Sequence, residues 1–135
     1  MSVDSWDPEI AKQAGSYHLD IELIIQIADH SQGTEPCSSK NFFSDSDRQQ
    51  HSLMMKQSRD AWFDIAAKLS SEQTLALIKF LTLAEMELSD WEAGEHSPVI
   101  YLVKYLRQQG TPIERDFLIW IKSNTDNRYL PNGPL

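Results

Sequence analysis

Leu19-Asp20-Ile21-Glu22-Leu23-Ile24-Ile25-Gln26-Ile27-Ala28-Asp29 carries two periodicities at once. Leu19, Ile21, Leu23, Ile25 and Ile27 alternate as in a strand. At roughly 100° per residue, however, Glu22, Gln26 and Asp29 fall within about 60° of one another, on one polar strip of a helix. The rest of that cylinder is apolar except at Asp20. The helical reading gathers the polar groups on one side, and we take it. A helix with so wide an apolar face belongs in the middle of a bundle or in a subunit interface.

The segments around it read the same way. Upstream, Asp7-Pro8-Glu9 has the form of a helix start, with Asp7 as cap and Pro8 at the first position, and Gly15-Ser16 breaks or bends this opening segment. Downstream, residues 30–46 form one long irregular loop, because Gly33, Pro36 and the Ser, Asn and Asp content oppose regular structure. Phe42 and Phe43 are expected to pin its far end to the core. From Asp45 or Asp47 the spacing of Leu53, Met54, Ala61, Trp62, Ile65, Ala66 and Leu69 predicts one long helix. Ser70 with Gln73 matches a capping box, opening a helix over Leu75–Leu88 that is apolar on most of its circumference. Residues 89–96 read as a connection. Ser97-Pro98 restarts a helix with Val99, Ile100, Val103 and Leu106 inward, and Gly110 ends it in the left-handed cap role. Thr111-Pro112-Ile113-Glu114 combines cap, proline and capping-box glutamate, so the last helix is expected to begin there and carry Ile113, Phe117, Trp120 and Ile121. It fades near Asn124 into a non-helical tail. The expectation is an all-α, single-domain bundle of about five helices over residues 1–135, with the 30–46 loop and the C-terminal tail irregular.

Composition narrows the function classes. The 135 residues hold 12 Lys and Arg against 20 Asp and Glu, a net charge of −8. That balance argues against a nucleic-acid binder, which needs a basic face to displace counterions from phosphate. Five glycines, none in a phosphate-cradling pattern, argue against nucleotide binding, and no cofactor is expected. The single cysteine, Cys37, excludes an internal disulfide framework and any zinc site built on several thiolates. The N-terminus carries acids where a secretory signal carries bases, and the apolar stretches Leu19–Ala28 and Leu75–Leu88 are too short to span a bilayer. A reducing, cytoplasmic setting without a membrane partner is expected, with Cys37 a free thiol. The charge is unevenly placed: residues 1–96 hold 7 Lys and Arg and 17 Asp and Glu, a balance of −10, whereas residues 97–135 hold 5 and 3, a balance of +2.

The densest acidic stretch is also the one place where chemistry-bearing groups crowd together. Glu85, Glu87, Asp90, Glu92, Glu95 and His96 fall within twelve residues. Carboxylates and an imidazole suit a divalent metal or an acid–base pair, which makes Glu85, Glu92, Glu95 and His96 a candidate ligand set. The plainer reading is a solvated acidic connection, since Gly94 separates Glu92 from His96 and no Glu-x-x-His occurs. Trp91, in the same stretch, is either an exposed interface anchor or a ring folded back over two helix ends. Trp62 and Trp120 fit buried stripes. In the tail, Arg128 and Tyr129 either recognise a partner or tie the segment to the bundle, with Leu130.

Trp91-Glu-Ala-Gly-Glu-His-Ser-Pro-Val-Ile100, with Trp120-Ile-Lys and Asn127-Arg-Tyr-Leu-Pro131, resembles small helical bacterial proteins that are themselves uncharacterised. The resemblance covers about the last third of the chain. It implies an all-α fold and a bacterial cytoplasm, and it transfers no catalytic residue.

Two functions from different classes fit these features. The first is a non-enzymatic helical module acting by protein–protein contact, its partner another protein or the chain itself in a homodimer, through Trp91, Glu92, Glu95, His96, Arg128 and Tyr129. The apolar surplus of Leu19–Ala28 and Leu75–Leu88 motivates the homodimer. The second is a small-ligand or metal-dependent enzyme sited near Glu85, Glu92, Glu95 and His96.

Overall fold

The computed structural model describes residues 18–31, 43–88, 91–125, 127 and 130, with Glu95 described by its backbone alone. These residues form six α-helices and no strand: α1 (Ile21–Ser31), α2 (Asp45–His51), α3 (Arg59–Ala66), α4 (Ser71–Glu87), α5 (Pro98–Gln108) and α6 (Arg115–Ser123). Two short 3₁₀ segments, Ser52–Lys56 and Gly94–His96, lie between them.

The ambiguous first segment is a helix, and its odd residue becomes its cap. Asp20 Oδ1 accepts from the Glu22 N–H at 3.0 Å, so the one carboxylate off the polar strip satisfies an orphan donor at the helix start. Glu22, Gln26 and Asp29 are exposed, whereas Ile24, Ile27 and Ala28 are buried. The irregular stretch expected over 30–46 is trimmed at both ends. His30 and Ser31 belong to α1, and Asp45 and Ser46 to α2. Residues 32–42, with Cys37 and Phe42, lie outside the described part, as do the Asp7-Pro8 start and Gly15. Phe43 does pin the near side of α2, its ring lying 6.2 Å from Phe80 and 5.6 Å from Trp91.

The single long helix expected from Asp45 to Leu69 is instead three pieces. Ser44 caps α2 through the Asp47 N–H, the chain tightens into the 3₁₀ segment, and Gln57 turns extended at ψ 155°. Ser58 then caps α3 through the Ala61 N–H. The break lets Met54 and Met55 both point inward, which neighbouring positions on one α-helix do less readily. It also frees the Met54 carbonyl, which accepts from the Trp62 indole at 3.1 Å.

The capping box on α4 forms as its sequence predicts: Ser70 Oγ accepts from the Gln73 N–H and Gln73 Oε1 accepts from the Ser70 N–H. α4 buries Ala76, Leu77, Ile78, Phe80, Leu81 and Ala84, leaving Met86 exposed. It can do so because it is covered on two sides, by α1 and by α5, while α3 packs on α5 in turn. The apolar faces that motivated a second subunit are thus spent largely on each other, α1 against α4. α5 starts as expected with Ser97 as cap and Pro98 at its first position. It ends at Gly110, φ +75°, where the Thr111 N–H donates to the Leu106 carbonyl at 3.0 Å and the Gly110 N–H to Arg107 at 3.1 Å.

That ending overturns the expected start of the last helix. Thr111 is already part of the α5 terminus, so Thr111–Glu114 runs non-helically and Glu114 stands at the cap position without a side-chain bond. α6 therefore begins at Arg115. Its one fully buried residue is Ile121; Ile113, Phe117 and Trp120 pack against the core from half-buried positions, so Trp120 is a flank of the core rather than its centre. One continuous buried cluster includes residues of α1, α3, α4, α5, α6 and the first 3₁₀ segment, together with Trp91 and Leu130. No helix among the described residues is long and apolar enough to cross a membrane.

Candidate functional site

The acidic stretch contains a buried carboxylate. Glu85 sits on the α4 face that also carries Ile78 and Leu81, and only 6% of it is exposed. Its Oε1 accepts from the Ala93 N–H at 3.2 Å and from Asn127 Nδ2 at 3.1 Å. Its Oε2 accepts from Ser97 Oγ at 2.5 Å. Asn127 Nδ2 also donates to the Gly94 carbonyl at 2.9 Å, and Ser97 Oγ accepts from the Val99 N–H at 3.2 Å. One side chain thus gathers the end of α4, the 91–97 connection, the start of α5 and the C-terminal segment. Burial pushes the Glu85 pKa up, the three hydrogen bonds oppose that, and the nearby Glu92 charge adds to the rise. A solvated connection does not describe this residue.

The other members of the expected site do not converge on it. Trp91 is fully buried. Its indole N–H donates to the Arg48 carbonyl at 3.0 Å, and its ring lies 6.4 Å from Phe80. The ring is folded back over the helix ends, and Trp91 presents no surface to a partner. Glu92 and His96 are exposed and line a shallow recess of about 340 Å³ with Lys56, Gln57, Ser58 and Tyr101. Glu85 is not among its lining groups. The backbone of Glu95 lies in the second 3₁₀ segment; its side chain, Arg128 and Tyr129 lie outside the described part. Among the described residues no group of three His, Cys, Asp or Glu side chains could hold a metal ion.

The exposed face of α6 does not stand out in the sequence. Ile119 is 51% exposed, and Phe117, Leu118 and Trp120 beside it are half-buried. Arg115 and Lys122, both exposed, stand one turn to either side of Ile119 on the same stripe. On the opposite side of α6, Phe117 lines a groove of about 340 Å³ with Leu75, Lys79, Pro112, Ile113 and Glu114, and Lys79 Nζ lies 5.9 Å from the Phe117 ring centre. The signal that could have found it is the helical spacing of Arg115, Ile119 and Lys122, which lies opposite the buried stripe of Ile113, Phe117, Trp120 and Ile121.

Set against protein-family models, curated proteins and solved structures, the chain matches none.

Proposed function

We propose that this protein is a non-enzymatic helical module acting by protein–protein contact, and that the exposed face of α6 is the contact surface. The observation that supports this is Ile119: a large aliphatic side chain half in water, flanked by two cations, on a helix with a single fully buried anchor. A partner seated on this face would take that side chain out of water between two cations. Self-association is its simplest form. Size-exclusion chromatography with light scattering, run on the wild type and Ile119→Glu over a micromolar concentration series, tests it. The wild type is expected to associate and the variant to remain monomeric with an unchanged circular dichroism spectrum. A variant that associates as the wild type does would overturn the assignment to α6.

The recess holding Lys56, Glu92, His96 and Tyr101 supports a second reading, a small-ligand enzyme, because it brings four ionisable side chains to one concavity. Imidazole NMR shifts of His96 that stay fixed under millimolar small carboxylates and phosphates would remove that reading.

A further inference from the structure

The α6 stripe has a counterpart on this same chain. On α1, Glu22 and Asp29 are exposed and seven positions apart; on α6, Arg115 and Lys122 are exposed and seven positions apart. Each pair spans about 10.5 Å along its helix at 1.5 Å per residue. Laid antiparallel, the two helices set Arg115 against Asp29 and Lys122 against Glu22. The same register sets Ile119 over Gln26, exposed in the middle of the acidic strip, with the half-buried Ile25 at the strip's edge. Antiparallel alignment also places opposite ends of the two helix dipoles together. Asp29 further lines a recess of about 620 Å³ with Ser70, Glu72 and Gln73, so a second carboxylate stands ready for the guanidinium.

We infer that the occupant of the α6 surface is α1 of a second copy of this chain, docked antiparallel, Arg115 and Lys122 on Asp29 and Glu22 with Ile119 against Gln26 and the edge of Ile25. The inference rests on α6 being the contact surface and adds the partner. About a two-fold axis two copies make the contact twice, α6 on α1 and α1 on α6, an isologous pair; without that axis the contact is heterologous and closes into a ring or propagates. The chain's net charge of −8 opposes any association at long range. At 0.15 M salt the screening length is about 8 Å, so the contact pairs act while much of that repulsion is suppressed. Exposed ion pairs contribute little to affinity and much to register. Charge reversal is therefore the sensitive probe.

The experiment is sedimentation equilibrium of the full chain at 0.15 M salt. It compares the wild type, Glu22→Lys/Asp29→Lys, Arg115→Glu/Lys122→Glu, and an equimolar mixture of the two variants. Each variant alone presents like charge on both surfaces and is expected to associate at least tenfold more weakly than the wild type. The mixture restores opposite charges between the two altered surfaces and is expected to regain association. The neutral pair Glu22→Gln/Asp29→Asn, which keeps side-chain size, weakens association in the same direction and serves where a reversal fails to fold. A monomeric wild type, an α1 variant that associates like the wild type, or a mixture that stays monomeric overturns the inference. Loss of association in Ile119→Glu with none in the α1 variant leaves α6 as a contact surface and removes α1 as its occupant.

Discussion

Glu85 accepts hydrogen bonds from Ala93, Ser97 and Asn127 while almost wholly out of water, and burial outweighs those bonds in setting its pKa above the ordinary 4.5. A raised folded pKa fixes the direction of the pH dependence. Below about pH 4.5 the group is protonated both folded and unfolded, and its favourable contribution is fully present. As pH rises through the raised folded pKa, the buried group must ionise and that contribution is lost. Chemical denaturation between pH 4 and 8 is therefore expected to show a fall in wild-type stability that Glu85→Gln lacks, the difference between the two curves isolating this residue. Parallel curves would mean that its pKa is the same folded and unfolded. The residue is visible in the sequence only as one acid among five. Its register is the overlooked clue: Glu85 follows Ile78 by seven positions and Leu81 by four, inside the apolar face of α4. A carboxylate in that register needs donors, and Ser97 and Asn127 supply them from chain positions that spacing along one helix does not connect. Trp91 yields more easily, because a tryptophan at a helix–helix connection has apolar ends to cover.

Local signals at the helix ends are legible where a single segment uses the residue, and misleading where two segments compete for it. Ser70 with Gln73, and Ser97 with Pro98, form the caps their sequences predict, since nothing else claims those groups. Thr111 looks equally clear, but Gly110 in the left-handed region turns the Thr111 N–H back onto Leu106, so the end of α5 takes the residue that would have started α6. The break at Gln57 is hidden for a related reason: the apolar spacing continues across it, and only Ser58, a cap without an acidic partner, marks it. Gly110→Ala isolates the terminus. A Cβ there meets nothing within 4 Å, so the cost is backbone strain alone, about 1 kcal/mol in a thermal or urea melt. A neutral substitution would show that the positive φ is not needed to end α5. Loss of this turn is expected to loosen α6 first, because the direction in which α6 leaves α5 is set there.

In the whole molecule the packing order is α1, α4, α5, α3, with α4 covered on both sides and α6 laid on the flank. The all-α class and the central place of Leu75–Leu88 are legible in the sequence, because helical spacing and an apolar circumference are properties of single segments. Which helix covers which is a property of pairs, and the sequence pattern leaves it open between a neighbour in the chain and a second subunit. The C-terminal segment closes the arrangement through Leu130, 1% exposed, and Asn127. Truncation after Thr125 removes both. It is expected to cost at least about 3 kcal/mol in urea denaturation, combining a buried leucine with a carboxylate left short of a donor. A truncated chain as stable as the full one would show that the segment only rests on the surface. The central place of α4 also sets an order of events during synthesis. When Glu87 leaves the ribosome, α1 is available to cover one side of α4, but α5 is complete only at Gln108. At about 5–20 residues per second the uncovered side waits roughly one to four seconds for its cover. Through that interval the nascent chain presents the helix that ends up burying the most residues, so folding yield should depend on chaperone supply and translation speed more than on the stability of the finished protein.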